Sequence, residues 1–395
     1  MSCVTVINAG SSSIKLAIFA KEANPALLAR GHVDGLGAEP RLRLSDGAGN
    51  FILEQKCEPG LTHEQATQML TKLATERLPD RVKIVAVGHR VVHGGPQYSA
   101  PMRVTAALLR ELEAFVPLAP LHQPHNLAPI RAIESLWPDL PQVVCFDTAF
   151  HRAQPAVAQT YAIPRKYTQE GVRCYGFHGI SYEFVAARLA EIAPDVARKR
   201  VIIAHLGSGA SLCAICDGAS VASSMGFTAL DGLVMGTRCG ALDPGVILHL
   251  MRHYELDVNE VEDLLYKKCG LIGVSEISSD MRALRVSDDA RAREAIDLFV
   301  YRIRRQIGSL VAALGGLDAL VFTAGIGEND AATRREVAAG CAWLGIEIDE
   351  ARNNASDMGA GLEISAQGAS ARTFVIPTNE ELRIALATGA LISNP

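Results

Sequence analysis

The chain has 395 residues, about half of them apolar and about a fifth charged, with a formal net charge of −5 at pH 7. That composition suits a globular protein long enough for two domains and lacks the basic field that nucleic acid binding needs, so no nucleic acid partner is expected. Residues 1–7 carry no basic leader or small-residue cleavage site, no apolar run reaches the ~20 residues of a bilayer span, and nine scattered cysteines suit buried thiols, so a cytoplasmic protein without a membrane partner is expected.

In chain order, short runs rich in Val and Ile read as buried strands at 4–7, 82–87, 143–146, 201–204, 320–323 and 374–376. Helical stretches lie between them. One begins at the cap Thr105 and runs to Phe115, another runs from Ser181 to Ile192, and residues 289–314 read as one long helix or two. Alternating strands and helices predict an α/β architecture with mixed or parallel sheets. Cys213 and Cys216 form a C-x-x-C pair, but they fall inside the apolar strand run 212–216 and no second pair completes a zinc site. INAGSSSIKLAI at 7–18 is echoed 197 residues later by AHLGSGASLCAI, with Gly10 matching Gly207 and Ser11 matching Ser208. The echo suggests two related domains, each with a small-residue hairpin suited to phosphate; glycine-serine turns are also common without duplication.

The candidate chemistry clusters at strand ends. Asn8, Gly10 to Ser13 and Lys15 offer backbone N–H groups, hydroxyls and one cation to a phosphate, and Asn8 can offer a carbonyl oxygen to a metal. No G-x-x-x-x-G-K-[ST] pattern is present at this hairpin. A second hairpin holds His205, Leu206, Gly207, Ser208 and Gly209, and a third glycine-rich turn is expected at 322–329, between a strand and the helical stretch from Ala331. Arg90 and Arg238 lie in glycine-rich, otherwise apolar contexts, where a planar fork matches carboxylate or phosphate; each alone reads more often as a surface ion pair, but two in such contexts are less easily dismissed. Asp147 closes a strand, at the carboxyl end where α/β sheets present ligand-facing groups, and His178 precedes a helix between glycines. Glu380 and Glu381 open the last helix, where acidic residues complement the dipole or reach a cation.

Together, VINAGSSSIK (6–15), GHRVVHGG (88–95), FDTAFH (146–151), YGFHG (175–179), HLGSG (205–209), MGTRCGALDP (235–244), FTAGIGEN (322–329) and PTNEEL (377–382) closely resemble the acetate kinase family. The resemblance implies two duplicated actin-like ATPase (ribonuclease H-like) domains with mixed sheets flanked by helices. Their expected extents are 1–147 plus about 380–395, and 148–379. It further implies a nucleotide in the interdomain cleft, commonly a homodimer, and reversible transfer of the ATP γ-phosphate to acetate, giving acetyl phosphate and ADP. By resemblance Asn8 and Glu380 look like magnesium positions, with Mn²⁺ as a possible substitute. Lys15, His205 to Gly209, Asp280, Met281, Arg282 and Gly325, Ile326, Gly327, Glu328, Asn329 look like nucleotide contacts. Arg90 looks like the carboxylate-binding residue, beside a small apolar pocket of Val92, Leu121 and Phe177. Asp147, His178 and Arg238 look catalytic.

Three positions depart from the family's usual residues: Ser208 replaces an asparagine, Ala229 a proline beside the substrate pocket, and Glu276 a glycine. Ala229 keeps a propionate or butyrate kinase in view. From a different class, a nucleotide-driven chaperone on the same fold is the other reading.

Overall fold

Residues Ser2–Ala9 (β1) and Ile14–Ala20 (β2) form an antiparallel hairpin in which Asn8 lies opposite Lys15. The sheet extends outward through Leu27–Asp34 (β3), Arg41–Asp46 (β4) and Phe51–Lys56 (β5). On its other side come Lys83–Val91 (β6), Gln142–Phe146 (β8) and the two-residue edge strand Met102–Arg103 (β7). β1, β6 and β8 run parallel; β1 and β8 are almost wholly buried and β6 is buried from Ala86 to His89, as strands covered on both faces must be. Helix Gln123–Leu136 covers one face and the last helix, Glu380–Ser393, packs on β1, β6 and β8. The contact with β6 is close: a Cβ on Gly88 would stand 2.4 Å from Thr388 Oγ1. In this computed structural model, which describes residues 1–78, 82–355, 357, 359 and 361–393, these elements belong to one unit, Met1–Ala149 with the C-terminal residues from Asn379.

The second unit, Phe150–Thr378, builds a six-stranded sheet from Arg200–Leu206 (β9), Ala210–Cys216 (β10), Ala219–Ser223 (β11), Ala319–Thr323 (β12), Leu362–Glu363 (β13) and Arg372–Val375 (β14). Its order, β11-β10-β9-β12-β14-β13, repeats the central order β3-β2-β1-β6-β8 of the first sheet. The directions repeat too: two antiparallel pairings on one side of the lead strand and two parallel ones on the other. Gly10 and Gly207 both fall in the turn of the lead hairpin, so the sequence echo marks equivalent places in the two sheets.

Residues 290–314 form one helix, capped by Asp289 and closed by Gly315 at φ +71°, with buried residues recurring every three or four positions. The helix expected from Ser181 starts earlier, at Gly179, with His178 as its N-cap residue at φ +58°. The expected third glycine turn is also corrected. Residues Ala324–Asn329 are a short helix entered through Ala324 at φ +65°, so the glycines line a helix there and not a loop. Cys213 and Cys216 sit three apart on β10 and so face opposite sides, one buried and one exposed; all nine cysteines are free thiols. Among the described residues no helix is long and apolar enough to cross a membrane.

Two histidines are locked neutral in the interior. His89 Nε2 meets Gln142 Oε1 at 2.7 Å, and His151 bridges the Phe177 carbonyl and Ser220 Oγ, both at 2.9 Å. Burial pushes both rings down to about 4. Above the ordinary value of 6.5 both states of the chain hold these rings neutral. As pH falls from there toward 4, the unfolded chain takes up protons that the folded chain does not, so stability drops by about 3 kcal/mol per histidine. The urea midpoint is expected to fall steeply across that interval, and less steeply in His151→Gln. Equal slopes in the two proteins would show that His151 is not one of the groups responsible.

Candidate active site

In the first unit the site grows from the carboxyl ends of β1, β6 and β8. Arg90, next to last in β6, sends Nε to Asp147 Oδ1 at 2.9 Å and Nη2 to Oδ2 at 2.5 Å. Its third nitrogen, Nη1, reaches Asn8 Oδ1 at 3.2 Å, and Glu380 Oε2 lies 3.8 Å from Nε. Asp147 is nearly inaccessible, while Arg90 keeps 18% of its side chain open. Burial works against the charge on Arg90, but Asp147, Glu380 and Glu381 outweigh it and hold the guanidinium protonated. Glu380 shows the opposite imbalance. Burial, reinforced by Asp147 and Glu381, pushes its carboxyl up to about 7 against the pull of Arg90 and Lys15. Three carboxylates thus gather around one arginine and one lysine, which leaves room for a further positive charge.

In the second unit His205, near the end of β9, stacks at 4.1 Å on His178, the N-cap residue of the helix from Gly179. His178 Nδ1 meets Ser211 Oγ at 2.9 Å, and Ser211 is itself bonded to the Tyr182 hydroxyl. His205 Nδ1 meets Ser181 Oγ at 2.9 Å, and Ser181 continues to Thr378 Oγ1 at 2.8 Å. With each Nδ1 engaged by a hydroxyl, Nε2 is the edge each ring presents elsewhere. For His178 that edge, like the Arg238 guanidinium, lies close to Gly209. A Cβ built on Gly209 would stand 2.8 Å from Arg238 Nη2 and 3.1 Å from His178 Nε2. Arg238 Nη1 is anchored on the Ala229 carbonyl at 2.5 Å. The loop bearing Arg238 is fixed in turn by Gly270, at φ +68°, whose missing side chain leaves room for the Met235 carbonyl.

Both hairpin turns tie their carbonyls back into the protein. In the first, Ser13 O accepts from Gly10 N, Ser12 O from Leu36 N, and Gly10 O from His63 Nε2. In the second, Gly209 O accepts from Gly207 N, and Ser208 O from Gly236 N. What these turns can still offer a ligand is N–H and hydroxyl donors, the chemistry of anion binding.

The remaining expected residues have mixed placements. Val92, Phe177 and Leu206 are buried and Leu121 partly so. Lys15 is exposed on β2. Asp280 caps the helix Met281–Arg285 and pairs with the exposed Arg282, whereas Met281 points into the core, which withdraws its side chain from ligand contact. Asn329 bonds its own helix at the Gly325 carbonyl. Glu328 turns its carboxylate back onto Ala324 N and Thr378 N, at 2.7 and 3.0 Å, and so caps its own helix. Glu276 adopts φ +55°, the left-handed conformation that glycine takes most easily, and pairs with Arg291 at 2.7 Å. Ser211, Tyr182, Thr378 and His63 were not legible as partners of the site, because their contacts are made only in three dimensions.

The pattern of the Acetokinase family matches residues 3–386. The chain belongs to the acetokinase family. An acetate kinase of Methylocella silvestris is 50% identical over 99% of this chain and 98% of its own length. Among solved structures, the Porphyromonas gingivalis acetate kinase superposes with a TM-score of 0.88 at 37% identity, over 99% of this chain and all of the other. A propionate kinase of Francisella tularensis superposes at 0.91, also at 37% identity, with the same coverage. The two repeated sheets are therefore the actin-like kinase fold.

As an acetokinase, the chain has a donor set suited to a hard cation. Asn8 Oδ1 and the Glu380 carboxylate flank Arg90, and burial, with Asp147 and Glu381 nearby, keeps the Glu380 carboxyl less readily ionised than a free one. No group of three His, Cys, Asp or Glu among the described residues forms a metal cage of its own. Mg²⁺ asks for less, since it takes one or two protein oxygens and completes its shell with phosphate and water. Gly209→Ala is expected to lower kcat about a hundredfold, because the added methyl displaces Arg238 and His178 together. Steady-state kinetics on the folded variant check this, and wild-type turnover would remove Gly209 from the arrangement.

Proposed function

We propose that this acetokinase transfers the γ-phosphoryl group of ATP directly and reversibly to acetate, in a Mg²⁺-dependent reaction. A carboxylate with an ordinary pKa of about 4 to 5 is already ionised at neutral pH and needs no general base. An acetate oxygen forms the new bond to phosphorus while the bond to the bridging oxygen of ADP breaks, giving acetyl phosphate and ADP. The difficulty is electrostatic, because an anion must approach a polyanion. The observation that carries the reading is the convergence of Arg238 and His178 at Gly209, in a chain whose other unit fixes Arg90 by several contacts to Asp147. Arg90 binds the carboxylate, with Val92, Leu121 and Phe177 supplying the apolar pocket for its methyl group. Arg238 and His178 stabilise the charge that spreads over the equatorial oxygens. Asp147 holds the Arg90 fork in place. Asn8 and Glu380 hold Mg²⁺, or Mn²⁺ in its stead, which supplies charge neutralisation to the phosphate oxygens. Lys15, His205 to Gly209, Asp280, Arg282 and Gly325 to Asn329 contact the nucleotide.

Arg238→Ala is expected to lower kcat by about a hundred- to a thousandfold with little change in ATP affinity. Trapping the acyl phosphate with hydroxylamine tests the reaction itself: ATP turnover without hydroxamate would point to a nucleotide-driven chaperone. Ala229, together with the likeness to a propionate kinase, supports a second reading in which propionate is preferred. Comparing kcat/KM for acetate, propionate and butyrate separates the two, with a maximum at acetate expected.

A homodimer belongs to the same reading. Helix Pro244–His253 is apolar in sequence yet buries none of its residues within the chain, and Val246 and Leu248 stand exposed beside Leu242 and Tyr254. A second copy covering this face would remove that apolar surface from water. Sedimentation equilibrium is expected to give twice the chain mass, and Leu248→Glu to give monomer. Nine free thiols suit a reducing cytoplasm, and the absence of a net basic charge suits a protein without nucleic acid partners.

A further inference from the structure

The parallel ladder between β1 and β6 ends at the pair Ile7 and His89, although β6 stays paired with β8 as far as Val91. Beyond that point β1 and β6 part, and Asn8 and Arg90 occupy the gap. One side chain spans it. Asn126, from the first turn of helix Gln123–Leu136, is almost fully buried; its Oδ1 accepts from Val92 N at 2.8 Å and its Nδ2 donates to Ala9 O at 2.7 Å. The two partners fix which way the amide faces, since Val92 offers only a donor and Ala9 only an acceptor. A side-chain amide thus stands where the next peptide group of the ladder would be.

The same helix end secures the surrounding backbone. Gln123 Oε1 accepts from His93 N at 3.2 Å and its Nε2 donates to His93 O at 3.1 Å. His125 stacks at 4.3 Å on His63, whose Nε2 bonds the Gly10 carbonyl at 2.7 Å. Gln123 and His63 thus hold backbone just beyond the ends of β6 and β1, and His125 acts through its stack on His63.

We propose that Asn126 is a positioning residue: by bridging the parted ends of β1 and β6 it sets the separation at which Asn8 meets Arg90. This rests on the reading of Asn8 as a cation position and Arg90 as the carboxylate-binding residue. Asn126 touches neither substrate nor metal and acts only through the backbone of Ala9 and Val92. Asparagine is suited to this because a single planar amide carries a donor and an acceptor at the spacing the two strands present. Aspartate keeps the acceptor for Val92 N but turns a second acceptor toward the Ala9 carbonyl, which drives the ends apart.

The test is Asn126→Asp in the full chain, assayed with acetate, ATP and Mg²⁺. The expected result is a kcat lower by about a hundredfold and a half-saturating Mg²⁺ concentration higher by about tenfold, with KM for ATP within about twofold and a thermal midpoint that still reports a folded protein. Unchanged kcat and Mg²⁺ dependence would overturn the proposal, since a purely structural contact would show itself in the thermal midpoint alone. If the aspartate variant does not fold, Asn126→Ala decides by the same two readouts, because it removes both bonds to the strand ends. A wild type that phosphorylates no short carboxylate would overturn the functional reading alone. The crystal structure of the folded variant then decides: loss of the 3.2 Å contact between Asn8 and Arg90, with the Arg90–Asp147 pair intact, supports the bridge, and its retention refutes it.

Discussion

The guanidinium of Arg90 is gripped by Asp147 at the end of a parallel sheet, and much else in the first unit follows from that grip. A cation in a largely buried place is tolerable only with a partner, and Asp147 supplies one through several short contacts. The partner also sets geometry: with Nε and Nη2 taken, Nη1 is turned to Asn8. Glu380 and Glu381 add further carboxyl groups beside Arg90, and burial pushes the Glu380 carboxyl up to about 7. An acidic shell around a locked arginine is a place where a metal ion and an organic anion can sit side by side, each compensated by groups already in position.

The second unit reaches a comparable end by different means. Its charged group, Arg238, is anchored on a backbone carbonyl, and the neighbouring imidazole is oriented by a serine. His178 holds a left-handed backbone conformation that costs of order 1–2 kcal/mol for a side-chain-bearing residue. His151 stabilises that bend from beneath through the Phe177 carbonyl. The two lead hairpins share a topology and a way of disposing of their carbonyls, but the side chains beside them have diverged into a carboxylate-rich cluster in one unit and a histidine-rich one in the other.

The motif stretches could be read in the sequence because ligand chemistry restricts residue type locally: glycine where backbone approaches a phosphate, arginine where a planar anion is met. The duplicated sheet was legible through a single hairpin echo, since turn residues are constrained by conformation and strand residues only by burial. Strands β3 to β5 left little trace, because β4 and β5 are interleaved with Arg, Glu and Gln and face solvent on one side. The helix at 324–329 was read as a turn because its glycines carry no helical signal and its entry depends on one left-handed alanine. Asn126 was invisible for another reason. A polar residue on a helix ordinarily faces water, and its two partners lie 34 and 117 residues away along the chain.

The last helix supplies Glu380 to the cluster and seals one face of β1, β6 and β8, yet it follows the whole second unit in the chain. On the ribosome the first sheet is therefore complete in strands long before it is complete in packing. It waits, with one apolar side bare and Arg90 lacking two of its acidic neighbours, Glu380 and Glu381, while more than two hundred further residues are made. A nascent chain in that state holds neither a finished core nor a finished charge balance. The completion of the Arg90 cluster and the closing of the first unit's core are thus acquired in one late event, and a chain released early would expose the hydrophobic face by which quality control recognises it.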